Sequence, residues 1–163
     1  MSNLNIVLFE PEIPQNTGNI VRTCAATGAA LHLIKPLGFS MEDRYLKRAG
    51  LDYWGMVDIF TYDSLADFFR THSNGHFAFL TKYAARTYDA IDFSSPLFLI
   101  FGKETAGIPP DILADQPDRC FRIPMICEAR SLNLSNAAAI VIYDVLRQNG
   151  FAGLNRKRTP PPV

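Results

Sequence analysis

Four short apolar runs, each broken by turn-forming residues and separated by helix-like stretches, constrain this chain more than any other feature. Leu4–Phe9 is bounded by Glu10, Pro11 and Pro14; Leu31–Ile34 ends at Lys35-Pro36; Phe77–Thr81 and Leu97–Phe101 complete the set. Runs this short with no polar face read as strands covered on both sides. Val57–Phe60 and, more weakly, Arg119–Ile123 are further strand candidates. Between them, Asn16 to Thr27 is predicted as a helix capped by Asn16, with Ile20, Val21 and Cys24 on one face and Gly28 closing it. Ser40-Met41-Glu42-Asp43 resembles a capping box that opens a short helix to Ala49, closed by Gly50. Asp63 or Ser64 caps another helix ending before Asn74-Gly75, and a last helix runs from Leu134 to Arg147. Strands alternating with helices imply an α/β fold with a parallel sheet and helices on both faces. No repeat or linker divides it, so residues 1–153 are expected to form a single domain and 154–163 a mobile tail, basic and then Pro-rich.

Composition removes several functional classes. Sixteen basic residues balance sixteen acidic ones in 163, so nucleic-acid binding must come from a local patch. No apolar stretch approaches the ~18 residues of a membrane span, and the opening MSNLNIVLF lacks the basic start of a signal peptide. Cys24, Cys120 and Cys127 are odd in number and form no CxxC pair, which fits a reducing, cytoplasmic setting. The ten glycines never form GxG, so the dinucleotide fingerprint is absent. Gly102-Lys103 lacks the preceding glycine and following Ser or Thr of a P-loop. His72 and His76 have helical spacing, but Asn74-Gly75 between them breaks a helix, so no metal site is expected; His32 reads as a strand-face residue.

Parallel α/β sheets bind ligands where loops gather at the carboxyl ends of their strands. Three unusual loops stand at such places. The first, Glu10-Pro-Glu-Ile-Pro-Gln-Asn-Thr-Gly-Asn-Ile-Val-Arg22, stiffens the approach to a helix start whose free N–H groups suit phosphate or ribose. The second, Phe101-Gly-Lys-Glu-Thr-Ala-Gly-Ile-Pro109, puts the Glu104 carboxylate just past a buried strand, where it needs a partner. The third runs from Ile123 through Arg130, Ser131, Asn133, Ser135 and Asn136 into an almost wholly apolar helix. A cap needs only one of those small polar residues, so the surplus suggests a ligand. Ala137 to Tyr143 is apolar on all sides and must be covered all round, which points to a partner subunit as well as the sheet.

In this order, NIVLFEPEIPQNTGNIVRTCAATG, GKETAGIP and IPMICEARSLNLSNA resemble the SPOUT class of RNA methyltransferases, the α/β-knot fold, from about Asn5 to Gly150. They look especially like the small tRNA 2′-O-methyltransferases that modify cytidine or 5-carboxymethylaminomethyluridine at the wobble position of leucine tRNAs. The resemblance implies a C-terminal trefoil knot, an exception to the rule against threading. It also implies a homodimer, S-adenosylmethionine as donor with S-adenosylhomocysteine as product, and the tRNA anticodon stem-loop as partner. By motif position, Phe79, Leu80, Gly102, Glu104, Ile123, Ser131 and Leu132 would contact the cofactor. Asn16, Arg22, Glu104, Ser131 and Asn133 match the polar residues around catalysis. Many relatives carry Pro or Ser where this chain has Lys103, and Arg where it has Ala106.

The chemistry asks for in-line attack of a ribose hydroxyl on a sulfonium methyl, so positioning is most of the task. The family resemblance assigns the hydroxyl proton to the position of Arg22. A guanidinium is normally always protonated, so two other roles stay open: a phosphate bound by Arg22 takes the proton, or Arg22 stabilises the forming alkoxide. For RNA, Arg44, Lys47 and Arg48 fall at helical spacings of three and four. Arg22, Arg130, Lys82, Arg86 and the tail trio Arg156-Lys157-Arg158 are further candidates. Unpaired anticodon bases can stack on aromatic or Arg planes. Competing readings are a SPOUT enzyme acting on ribosomal RNA or another tRNA position, and a flavodoxin-like nucleotide binder without catalysis.

Overall fold

The computed structural model describes residues 3–41, 53–93 and 96–157. The expected helix from Ser40 to Ala49, with Arg44, Lys47 and Arg48, falls almost wholly outside them, as does the tail from residue 158. Among the described residues seven strands form one sheet: β1 (Leu4–Phe9), β2 (Ala30–Ile34), β3 (Ile59–Tyr62), β4 (His76–Leu80), β5 (Arg86–Thr87), β6 (Leu97–Phe101) and β7 (Cys120–Arg122). Their order is β3-β2-β1-β6-β4-β7-β5. Every neighbouring pair is parallel. The main helices are α1 (Pro14–Thr27), α2 (Leu65–Thr71), α3 (Pro110–Ala114) and α4 (Leu134–Gln148).

The mostly apolar runs are the central strands, and every residue of β1, β2 and β6 is buried, the polar Asn5 and His32 included. Their side chains alternate between two cores, as the pleat requires. Ile6, Leu8, Leu31, Leu33, Leu97 and Leu99 meet Ile20, Val21 and Cys24 of α1 and Ala138, Val141, Ile142 and Val145 of α4. Val7, Phe9, Ile34, Phe79, Phe98 and Ile100 meet Leu65 and Phe68 of α2 on the opposite face. Burial pushes the Cys24 thiol up to about 12, leaving it an inert core residue.

Several boundaries differ from expectation. Pro14 begins α1, its fixed φ and missing N–H fitting a first turn; Ile13 occupies the cap position and no side chain caps there. Asn16 is inside the helix, its amide engaged elsewhere. The third strand starts two residues later than expected, in register with Leu31 of β2. Of the two candidate caps, Ser64 is the one used, its hydroxyl accepting from Asp67 N. Sequence patterning missed β5 and α3, because two and five residues are too few to show a period. Gly28 closes α1 as expected, with φ 72°.

His32 is a buried strand residue with an assignable hydrogen-bond chain. Asn5 donates to Leu97 O, which leaves its Oδ1 to accept from His32 Nε2 at 3.2 Å. His32 Nδ1 must therefore accept from the Tyr62 hydroxyl at 3.0 Å, whose oxygen in turn accepts from His72 Nε2 at 2.9 Å. Phe60, Phe68 and Phe98 pack around the imidazole. Burial, and secondarily the neighbouring His72, depress the His32 pKa from 6.5 to about 3. The unfolded chain then binds a proton that native His32 refuses, so the contribution of His32 is full above pH 6.5 and falls as pH drops towards 3; burial lowers the His72 pKa too, which adds in the same direction. The slope expected from one such group is about 1.4 kcal/mol per pH unit. Urea unfolding between pH 7.5 and 4.5 should show it, and His32→Gln should flatten it. An equal slope in that variant would assign the loss to other groups.

Candidate active site

Four strands deliver loops to one cavity of about 580 Å³ at their carboxyl ends. Its walls are Ile13 and Asn16 after β1, Leu80 to Tyr83 after β4, Phe101 to Ile108 after β6, and Ile123 and Met125 after β7. Ser131, Leu132, Asn133, Leu134 and Ala137, leading into and through the start of α4, complete it. β1 and β6 are sheet neighbours, and from them the chain proceeds in opposite directions across the sheet. A cavity at such a switch point is the expected ligand site of an open α/β sheet.

A chain of side-chain hydrogen bonds ties the three loops together. Asn133 Nδ2 donates to Asn16 Oδ1 at 2.9 Å, and Asn16 Nδ2 donates to Glu104 Oε1 at 2.9 Å. Glu104 also accepts from the backbone N–H of Glu12 at 2.8 Å and of Ile13 at 3.3 Å. Its carboxylate thus sits at the open N-terminus of α1, where charge and free N–H groups favour an anion. Asn133 Oδ1 accepts from Ser135 N, Ser135 Oγ and Asn136 N, capping α4. That cap contributes about 1 kcal/mol. The loops after β1 and β6 clasp each other further. Glu12 accepts from Thr105 N at 3.0 Å and Thr105 Oγ1 at 2.7 Å, and Lys103 Nζ meets Glu10 Oε2 at 2.8 Å. The Thr105 bonds hold the Glu12 carboxyl below its ordinary pKa, and the bond to Glu10 raises that of Lys103.

The expected site residues divide clearly. Asn16, Leu80, Gly102, Glu104, Ile123, Ser131, Leu132 and Asn133 all line the cavity. Phe79 does not. It is wholly buried in the core on the α2 face, because adjacent strand residues point to opposite sides and Leu80 takes the cavity side. Arg22 is also outside the cavity wall. It is exposed on α1, its guanidinium carbon 5.2 Å from the Tyr53 ring centroid. Six residues past Asn16, it lies about 9 Å along the helix and about a third of a turn around it. Arg130 is exposed, and Arg86 is held by Asp118 O and Ala90 O. Lys82 and Tyr83 stand at the cavity wall, the ammonium 5.0 Å from a ring that is 79% exposed. Reading residues by charge and motif overlooked Tyr83; its place two residues past a predicted strand end was the available signal. Among the described residues no cluster of His, Cys, Asp and Glu forms a metal site, and no helix is long and apolar enough to cross a membrane.

The cavity's chemistry suits a nucleoside-bearing ligand. Leu80, Phe101, Ile123 and Leu132 give apolar walls, while Ser131, Asn133 and loop backbone supply polar groups. The model of the SpoU rRNA Methylase family matches residues 3–143. The chain belongs to that family. It is 48% identical over 157 residues to a tRNA (cytidine(34)-2′-O)-methyltransferase of Yersinia pestis, covering 92% of this chain and 96% of the relative. A solved structure described for the 2-OH methylation of C/U34 on tRNA superposes with TM-score 0.86 at 41% identity, covering 91% of this chain and 97% of the other. An AdoMet-bound rRNA methyltransferase from Sinorhizobium meliloti superposes with TM-score 0.80 at 27% identity, covering 90% of this chain but 57% of that one.

Gly102 is the least replaceable wall residue. A Cβ there would lie 2.2 Å from the carbonyl carbon of Gly107 and 2.3 Å from Ile108 N, because the loop folds back through Gly107 N donating to Lys103 O at 2.8 Å. Gly102→Ala must displace backbone on one cavity wall. Calorimetric titration with S-adenosylmethionine should show affinity reduced at least about tenfold with far-UV circular dichroism unchanged. Unaltered affinity would show that this wall does not hold the cofactor.

Proposed function

We propose that this protein transfers the methyl group of S-adenosylmethionine to the ribose 2′-hydroxyl of the wobble nucleotide, cytidine or 5-carboxymethylaminomethyluridine at position 34, of leucine tRNAs. The observation that carries the reading is the cavity itself. Three loops at the carboxyl ends of a parallel sheet are joined by the Asn133–Asn16–Glu104 chain, in a member of an RNA methylase family with a relative named as a tRNA (cytidine(34)-2′-O)-methyltransferase. The α/β knot belongs to the same reading.

When bound, the cofactor supplies a methyl group on a positively charged sulfur. Leu80, Ile123 and Leu132 would enclose the adenosine, and the backbone at Gly102 allows close approach. Glu104 has both carboxylate oxygens occupied by the start of α1 and Asn16, so it holds the loop in place rather than accepting a proton. Ser131 stands free at the wall for the nucleotide or cofactor, and Asn133 orients Asn16. Arg22, away from the cofactor wall, is placed to meet RNA bound along α1. In this reading its guanidinium holds an RNA phosphate, or, where the dimer brings it to the second copy's cavity, the forming alkoxide, and the hydroxyl proton goes to phosphate or solvent. Lys82 and Tyr83 offer an ammonium and an exposed ring to an unpaired nucleotide; Arg130 and the Arg44, Lys47 and Arg48 group supply further phosphate contacts.

A homodimer completes the site. In the single chain, Ile140 and Tyr143 of α4 are 38% and 46% exposed, and Ile13 and Leu132 at the cavity are 42% and 39% exposed. A second copy is the occupant that covers this face beside the cavity. Sedimentation should show a dimer, and Ile140→Arg should yield monomer with little methyl transfer; a fully active monomer would remove the dimer from the reading.

The deciding assay mixes the protein with labelled S-adenosylmethionine and tRNA from cells lacking the modification, then hydrolyses the RNA in alkali. A labelled alkali-resistant dinucleotide containing position 34 is expected. Label in ordinary mononucleotides would mean base methylation, and label only in ribosomal RNA would favour the alternative substrate. Arg22→Ala should cut turnover by about 10² or more while sparing cofactor affinity; undiminished turnover would remove Arg22 from the reaction.

A further inference from the structure

The clasp between the loops after β1 and β6 contains one contact that the substrate and cofactor chemistry does not use. Glu10 holds φ 48°, a left-handed conformation that a non-glycine residue adopts only at a cost. Its N–H is tied to Ile34 O at 3.0 Å, and its carboxylate reaches across to Lys103 at 2.8 Å. The two side chains are only 25% and 28% exposed, so the pair is screened far less than a surface ion pair. Lys103 is the residue next to Gly102, the tightest point of the cavity wall, and next to Glu104, which anchors the start of α1. We propose that Glu10 and Lys103 are a positioning pair that locks the cofactor-side loop to the segment leading from β1 into the RNA-side helix, so that methyl donor and ribose are held in line. The proposal rests on the methyl-transfer reading for its kinetic consequence, and on geometry alone for its structural one.

Two features separate this role from general stability. The loop after β6 keeps its own closure through Gly107 N to Lys103 O, and Glu104 keeps its three bonds to the α1 start, so loss of the Lys103 charge loosens alignment without unfolding either loop. The pair is also reciprocal in charge, so exchanging the partners should restore the attraction.

The test compares Lys103→Met, Glu10→Gln, Lys103→Arg and the exchanged double variant Glu10→Lys/Lys103→Glu. Lys103→Met and Glu10→Gln should lower kcat about tenfold with KM for tRNA within about twofold. Lys103→Arg should stay near the parent, and the exchanged double variant should recover most of the loss. Amide exchange at Glu12, Ile13 and Thr105 should quicken together in the single variants and return in the exchanged one. Unchanged kcat and exchange in Lys103→Met, or an exchanged variant no better than the singles, would overturn the pair as a positioning device. Should the parent transfer no methyl to any RNA, the methyl-transfer reading fails on its own, and the exchange measurement still decides whether the pair couples the two loops.

Discussion

The structure depends on satisfying one carboxylate. Glu104 stands three residues past a wholly buried strand, itself partly buried, and its partners come from a segment some ninety residues earlier: two backbone N–H groups and the Asn16 amide. Those N–H groups belong to a helix start that has no side-chain cap of its own, so each partner answers the other's deficit. Asn133 extends the chain to the start of α4. One short polar chain thereby fixes the relative places of three loops, and the cavity is the space between them. The same groups that make the site are the groups that keep its walls from drifting.

Much of this was legible in the sequence, and what was not has physical reasons. Strands buried on both faces announce themselves as short runs dominated by apolar residues, so the sequence predicts β1 and β6 with the bounds they have. Asn16 was read as a cap because Asn near a helix start usually is one. Pro14 had already fixed the first turn, which freed the Asn16 side chain to bridge Glu104 and Asn133, a contact no local pattern encodes. Phe79 and Leu80 were named together from a motif, yet the pleat allows only one of two adjacent residues to face the cavity. The partners of Lys103 and Thr105, Glu10 and Glu12, were in plain sight in the first motif. Their pairing spans 93 residues and follows only from β1 and β6 lying side by side.

The Lys103 departure takes on a definite meaning in this light. Lys103 puts a cation beside a cavity for nucleotides, which invites assignment to RNA. The ammonium instead lies on Glu10, half-buried and charge-satisfied. Recruiting it to a phosphate would leave the partly buried Glu10 carboxylate without this partner. Ala106, at the exposed turn of the same loop, carries no comparable contact.

Helix α4 carries the apolar surface on which the proposed homodimer rests. Its buried stripe of Ala138, Val141, Ile142 and Val145 follows the helical period and packs on the sheet beside α1. Ile140 and Tyr143 lie off that stripe and stay partly exposed, leaving apolar surface in the single chain. Leu132 and Ile13 extend the same kind of surface to the rim of the cavity. In the proposed dimer, a protein of zero net charge that holds a polyanion would gain twice from covering this face with a second copy. The apolar area would leave water, and each basic patch would be doubled about the symmetry axis, so the local field at the RNA would rise without any change in overall charge.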